Sequence, residues 1–435
     1  RFPDMKSRFR DQAKRDVLLK GVSFSLARSQ SLLPLLMALI ALSGCATYQT
    51  KVDESRRLLR LNPVEAIEKL EKLASEESRD QLVYMLDYAT ALQAAGRYEE
   101  SAKTFLRAEK MADANDYHSI SNVAASLALN EEMVQYKAED FEKVLIPSLN
   151  ALNYLNLNQE ENAMTQVRRV NEVLTKLRID EKKDFNQSPY AYYLGGLLYE
   201  SERDFDNALV LYKKAYEVAP GFEHLKKDLL RTSIRAQRPD ELEKFKKQFP
   251  GELIDPKWKD RKQGEIVFIF QQGWGPRKYP RPESHRFPRL VSVPSAVAAA
   301  TMTVEATDGA QVATIQSQTV YSIDDVAIKA LEGDYGRLVA SRVAGVATKA
   351  VLADQLRQKN EALGQLAWIA MNLADRADLR QWSTLPQSFQ FARVQVQPGT
   401  YRVKLSTNGS VGASDDRQVE VKSDRKTFLV WRVFE

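Results

Sequence analysis

Cys45 is the only cysteine in 435 residues, and it follows an apolar run, residues 32–42, through the small pair Ser43-Gly44. A thiolate is a nucleophile and an acyl acceptor, and small neighbours leave it open to attack and transfer. The rest of the chain is poor in reactive sets. Its three histidines, His118, His224 and His285, lie in separate segments without metal-ligand spacing. No G-x-S-x-G surrounds a serine. Gly273-Trp274-Gly275 and Gly333-Asp334-Tyr335-Gly336 are too short and wrongly flanked to cradle phosphate. Asp324-Asp325 precedes an apolar-periodic run and fits a helix N-cap pair better than an acid–base dyad. The sequence therefore nominates no catalytic residue, no metal site and no cofactor.

The flanks of Cys45 explain its position. From Met5 to Arg28, upstream of the apolar run, Lys6, Arg8, Arg10, Lys14, Arg15, Lys20 and Arg28 face only Asp11 and Asp16. The run is too short to cross a bilayer comfortably, since spanning takes about 20 apolar residues. A basic segment, an apolar segment and small residues before a cut describe a secretory signal peptide. Leu42-Ser43-Gly44-Cys45 resembles the bacterial lipobox. That resemblance implies removal of residues 1–44 and acylation of Cys45, which anchors the chain to a membrane through its acyl chains. Ala46 stands where an aspartate would resemble an inner-membrane retention signal. The expected location is therefore the outer membrane, on its periplasmic side, with residues 45–60 as a tether.

Charge agrees with this division. The chain is formally +5 with a pI near 8.9, yet residues 1–44 alone carry 8 basic and 3 acidic side chains. The remaining 391 residues (435 less 44) are thus balanced. The basic excess belongs to the leader and implies no nucleic-acid partner.

Two periodicities divide residues 61–435. Gly96-Arg97-Tyr98-Glu99-Glu100-Ser101-Ala102, with Phe105 and Ala108 behind it, has the grammar of a helix-turn-helix joint. Asp204-Phe205-Asp206-Asn207-Ala208 repeats it, with Tyr212, Ala215 and Pro220 behind. A looser middle unit turns at Asn158-Gln159-Glu160-Glu161, and residues 222–248 supply another helix pair. The spacing resembles the tetratricopeptide repeat, in which stacked hairpins bury one another's faces. Residues 61–250 are expected to form such an α-solenoid. Its concave face would present Tyr190, Tyr193 and Leu197, with Glu200 beyond, to a partner segment; the alternative is that these tyrosines pack against the next domain.

After Pro250 the period changes to strands. Residues 265–271, 290–293, 301–305, 311–318, 389–396, 400–405, 418–421 and 427–434 are expected as an antiparallel set, interrupted by helix over 323–374. The expected class is α+β: a TPR-like solenoid, then over 251–435 a β-sandwich-like domain with an inserted helical hairpin. The basic tract 275–289 carries four prolines and is expected as a stiff surface loop; the alternative is a patch for anionic glycan, peptidoglycan carboxylates or lipid headgroups.

The lipobox, "ALNYLNLNQEENA", "FIFQQGWGPRK" and "WSTLPQSFQFARVQVQPGTYRV" together resemble a family of bacterial tetratricopeptide lipoproteins. The Trp-x-x-Leu-Pro match falls at Trp382, Leu385 and Pro386, whereas the tract around Gly273 lacks the family's acidic residue. No activity attaches to that family. The resemblance implies architecture and, through members encoded near lipoprotein activators of cell-wall synthases, a link to cell-wall synthesis. The expected function is a non-enzymatic, periplasm-facing scaffold or adaptor with an envelope protein partner and peptidoglycan as a second candidate. Two alternatives stand beside it, a structural subunit of an envelope assembly that uses the small-residue helix at 337–374, and an envelope hydrolase.

Overall fold

The computed structural model describes residues 47–121, 134–179, 187–259, 261–373, 376–409 and 412–435. The expected leader, residues 1–44, and Cys45 lie outside them. The chain divides into two compact units, 1–51 and 52–435. Of the first, only residues 47–51 are described; the second holds both the helical and the strand-rich halves.

Among the described residues ten helices build the first half: α1 (Thr47–Leu61), α2 (Pro63–Ser75), α3 (Gln81–Ala94), α4 (Tyr98–Ser121), α5 (Asp140–Asn156), α6 (Glu160–Ile179), α7 (Pro189–Ser201), α8 (Phe205–Val218), α9 (His224–Arg235) and α10 (Pro239–Gln248). From α3 onward they pack as antiparallel pairs. One local device makes all four joints. Gly96, Asn158, Arg203 and Gln237 each adopt a positive φ, between 54° and 76°. At each joint the next residue's N–H donates five residues back, to Leu92, Tyr154, Tyr199 and Ser233 respectively. This is the Schellman ending, which satisfies carbonyls that a helix C-terminus leaves open. Only the first joint uses glycine; the other three carry a left-handed side-chain residue at a cost of about 1–2 kcal/mol each.

Small residues then let the two helices of a pair touch. Ser101, Ala163 and Ala208 are wholly buried at equivalent positions of α4, α6 and α8. A Cβ added at Gly196 on α7 would come within 2.5 Å of the Tyr212 ring on α8.

The second half is a sandwich of two four-stranded sheets, made from β1 (Gly264–Gln272), β4 (Val297–Ala306), β5 (Gln311–Gln316), β6 (Gln318–Ser322), β7 (Ser388–Val396), β8 (Gly399–Gly409), β9 (Ser414–Val421) and β10 (Lys426–Val433). Their orders are β10-β1-β7-β6 and β5-β4-β8-β9. Ile266, Phe268 and Phe270 of β1 interleave with Met302 and Val304 of β4 and Val403 and Leu405 of β8 between the sheets.

Four expectations need correction. The set is mixed, because β10 runs parallel to β1, with Glu265 opposite Lys426 and Gln272 opposite Val433. A parallel pair needs cover on both faces, and β1 has it: every residue but Gln272 is buried. The basic tract is not a loop. It forms a two-stranded ribbon, β2 (Arg277–Arg281) and β3 (Ser284–Val291), whose prolines, Pro280 and Pro288, face each other across an edge pairing. The insertion holds three helices rather than a hairpin alone: α11 (Ile323–Gly333), α12 (Tyr335–Lys359) and α13 (Glu361–Leu373). The expected tether folds from Thr47 as α1, which buries Val52, Leu58 and Leu59.

Candidate functional site

The β10-β1-β7-β6 sheet packs against the helix array, through Phe389, Phe391 and Arg393 of β7, Lys426 of β10 and Gln271 of β1, which bonds Gln93 of α3 at 3.3 Å. This contact closes the expected partner groove. Tyr190, Tyr193 and Leu197 are fully buried. The Tyr190 ring stacks on Phe389 of β7 with centroids 3.9 Å apart, and Tyr193 meets Phe391 edge-on at 4.9 Å. Glu200 is buried as well, under Lys426 of β10 and Arg231 of α9. The structure brings the four residues together, but beneath the protein's own sheet. A signal for this was present in composition. Helices that are apolar all round are covered on two sides, and twelve of fourteen residues in α3 and twelve of thirteen in α7 are buried.

Between the halves lies a closed ionic cluster of Arg231, Arg393 and Lys426 with Glu200, Asp228 and Glu265. Arg393 on β7 donates to both Asp228 oxygens at 2.7 Å, to Glu265 at 2.9 Å and to the Tyr193 hydroxyl at 2.6 Å. Arg231 forks onto Glu200 at 2.8 and 2.9 Å, and Lys426 bonds Glu265. Three cations face three carboxylates, so the buried charges balance. Burial alone would raise the Glu265 carboxyl, but Arg393 and Lys426 hold it down at about 2. The same opposition, with Arg231 and Lys426 winning, holds Glu200 well below the carboxylate range.

Trp382-Ser383-Thr384-Leu385-Pro386 is the second lock. The Trp382 backbone N–H donates to Glu142 on α5, and its indole N–H donates to Thr90 on α3, each at 2.9 Å. Ser383 and Thr384 donate three bonds of 2.9 Å to Asp87. Burial pushes Asp87 up to about 6 and Glu142 to about 7. Such shifts mark candidate acids in a cleft, but here both carboxylates are sealed and their oxygens hold the segment in place. Asp324, likewise raised to about 6 by burial, accepts from Gln387 at 3.1 Å and from Ser292. Ser322, not Asp324, caps α11 by accepting from the Asp325 N–H at 3.2 Å. Among the described residues no group of three or more His, Cys, Asp or Glu could hold a metal ion. His224 packs against Phe222, with ring centroids 5.2 Å apart.

Besides a small cleft at the edge of the ionic cluster, lined by Arg231, Arg235, Asp424 and Arg425 among others, two larger surfaces are open among the described residues. One is a cleft of about 660 Å³ between α1 and the β2–β3 ribbon, lined by Asp53, Arg56, Arg57, Arg60, Trp274, Arg277 and Tyr279 among others. Strand alternation splits the basic tract: Arg277 and Tyr279 face this cleft, whereas Lys278 is buried and bonds Glu139 at 2.7 Å and the Arg380 carbonyl at 3.2 Å. The other surface is the α12–α13 pair. These helices pack on each other and join the body through α11 and through Tyr335, whose ring meets Phe287 at 5.5 Å and lies under the Arg281 guanidinium at 4.2 Å. Val343, Val351, Leu352, Leu356, Leu363, Leu366 and Ile369 stand exposed on them by 38–66 %. Among the described residues no helix is long and apolar enough to cross a membrane.

No family model matches the chain, and no curated protein matches it. Solved structures with likeness include MamA 41-end from Desulfovibrio magneticus RS-1, at 17 % identity, 46 % of this chain, 90 % of that chain and a TM-score of 0.31. The putative kinesin light chain TPR-like repeats of Podosopora anserina match at 14 % identity, 46 % and 92 % coverage and 0.31. BtubC from P. vanneervenii matches at 18 %, 48 % and 92 % coverage and 0.28. Scores this low carry no fold assignment, and the hairpin stack rests on its own four joints.

Proposed function

We propose that the chain is a non-enzymatic, lipid-anchored scaffold on the periplasmic side of the outer membrane. It meets an envelope protein partner through the α12–α13 pair rather than through the concave groove. The observation that carries this is the set of seven large apolar side chains exposed on two helices that project from the body. Large apolar side chains gathered in such number on one helix pair mark a candidate interaction surface. With the concave groove filled by β7 and β10, a partner cannot enter it without pulling the halves apart. The anchor rests on Leu42-Ser43-Gly44-Cys45: Cys45→Ser should abolish metabolic palmitate labelling, and label retained by the variant overturns that part.

The partner surface is tested in cells of origin by a photo-crosslinking residue placed at Val351 or Leu363 of the full chain. One discrete heterologous adduct is expected, lost when the remaining apolar positions carry Leu356→Glu and Leu366→Glu. No adduct from either position overturns the assignment. An adduct of two copies of this chain instead favours the structural-subunit alternative, in which Ala344, Ala347 and Ala350 let helices of neighbouring copies approach closely.

A further inference from the structure

Four guanidinium groups from two separate elements converge on the cleft beside α1. Arg56, Arg57 and Arg60 come from one stretch of helix, and Arg277 comes from β2. The helical offset of four puts Arg56 and Arg60 on one face, and strand alternation turns Arg277 and Tyr279 toward them. Two lining carboxylates answer these four charges. Asp53 pairs with Arg277, and Glu435 accepts from Arg60 at 2.9 Å. An excess of two positive charges is left.

The floor of the cleft holds guanidinium charge that no carboxylate pairs with directly among the described residues, although Asp87 and Asp53 act on Arg56 from further off. Arg56 is 8 % exposed, makes no salt bridge among the described residues, and has an Nη1 sealed from solvent without a hydrogen-bond partner. It is held by stacking instead. Its guanidinium lies 4.4 Å over the Trp274 ring, Trp274 lies 4.6 Å from Phe434, and the Arg432 guanidinium lies 4.6 Å over Phe434. Among the described residues Arg432 donates to the Gly273 and Thr384 carbonyls, and its Nε and Nη1 are sealed without a partner there. Burial, then the charge of Arg277, pushes Arg56 down to about 10. A guanidinium nonetheless keeps its proton in a protein, so the cost stands as buried charge that Asp87 and Asp53 offset only in part and that an arriving anion offsets further.

We infer that this cleft is a binding site for a phosphoryl oxyanion carried on a small molecule or on a phospholipid headgroup. Arginine forks suit such oxygens. A phosphomonoester carries up to about two charges and three acceptor oxygens, which matches the excess of two and reaches both elements at once. A phosphodiester headgroup, with one charge and two free oxygens, can still bridge both elements but offsets half of the excess. The open walls, with Tyr279 40 % and Leu61 72 % exposed, leave room for the ligand's uncharged part.

The test is calorimetric titration of the full chain with inorganic phosphate and, separately, with glycerophosphoglycerol, the soluble headgroup of phosphatidylglycerol. Saturable binding of at least one probe is expected, weakened at least tenfold by Arg57→Gln with Arg277→Gln. Asp53→Asn, which removes the competing carboxylate, should tighten it severalfold. Tighter phosphate assigns the site to a soluble phosphorylated ligand, and tighter glycerophosphoglycerol to a lipid headgroup. No saturation with either probe overturns the inference, as does undiminished binding in a double variant that melts like the parent. If the double variant fails to fold, binding that Asp53→Asn does not tighten overturns it.

Discussion

Tyr190 and Tyr193 sit three residues apart on α7, both fully buried under β7, yet their hydroxyls meet opposite fates. The Tyr193 hydroxyl donates to Asp228 at 2.8 Å and accepts from Arg393 at 2.6 Å. The Tyr190 hydroxyl is sealed and has no partner. Replacing each with phenylalanine keeps the ring and its stacking and removes one oxygen. A hydrogen bond to a charged group contributes about 1.5–3 kcal/mol, so Tyr193→Phe should lose that much. An unsatisfied buried hydroxyl costs about 1–3 kcal/mol, so Tyr190→Phe should be neutral or stabilise by up to that amount. Tyr190→Ala instead empties the stack on Phe389 and should cost about 3–5 kcal/mol. Urea unfolding followed by circular dichroism and by tryptophan emission reads all three on one preparation. A loss above about 1 kcal/mol in Tyr190→Phe would refute the buried, unpartnered hydroxyl, and a neutral Tyr193→Phe would refute the ionic lock. If alanine variants at both positions melted like the parent, the groove would be open after all and the sheet would not fill it.

Arg393→Met should destabilise by about 3–5 kcal/mol, because it leaves Asp228 and Glu265 buried with less compensation; adding Asp228→Asn should recover part of the loss, and strict additivity of the two would argue against their pairing. Glu142 binds its proton more tightly folded than unfolded, about 7 against 4.5, so its share of stability is full below about 4.5 and is lost as pH rises to about 7, a swing on the order of 3 kcal/mol. Glu142→Gln should flatten the melting temperature across that window, and an unchanged slope would place the titration elsewhere. Gly196→Ala should cost about 1–3 kcal/mol by driving a methyl into the Tyr212 ring, and a thermal midpoint equal to the parent's would show that α7 and α8 do not touch there.

What the sequence determined was local. Hairpin joints at 96, 158, 203 and 237 follow from short-range bonds between residues at most five apart, so turn chemistry and small residues at Ser101, Ala163 and Ala208 marked the repeats correctly. The apolar runs of β1 and β7 were equally plain, because strand propensity and burial are written in consecutive residues. The ribbon at 277–291 was missed because its prolines obey a rule with an exception, being excluded from central strands but allowed at edges. Only the tertiary structure decided which surfaces meet. Arg393 and Asp228 are 165 positions apart, and Trp382 and Thr90 are 292 apart; in sequence each is an ordinary residue. The cleft draws residues 53–61, 274–279 and 291–294 together, none of which signals the others. A helix pattern tells that a face is buried without naming what buries it, since any apolar layer of matching shape lowers the energy alike. The same indifference makes a tyrosine row look like a partner's groove until the chain's own sheet is seen lying in it.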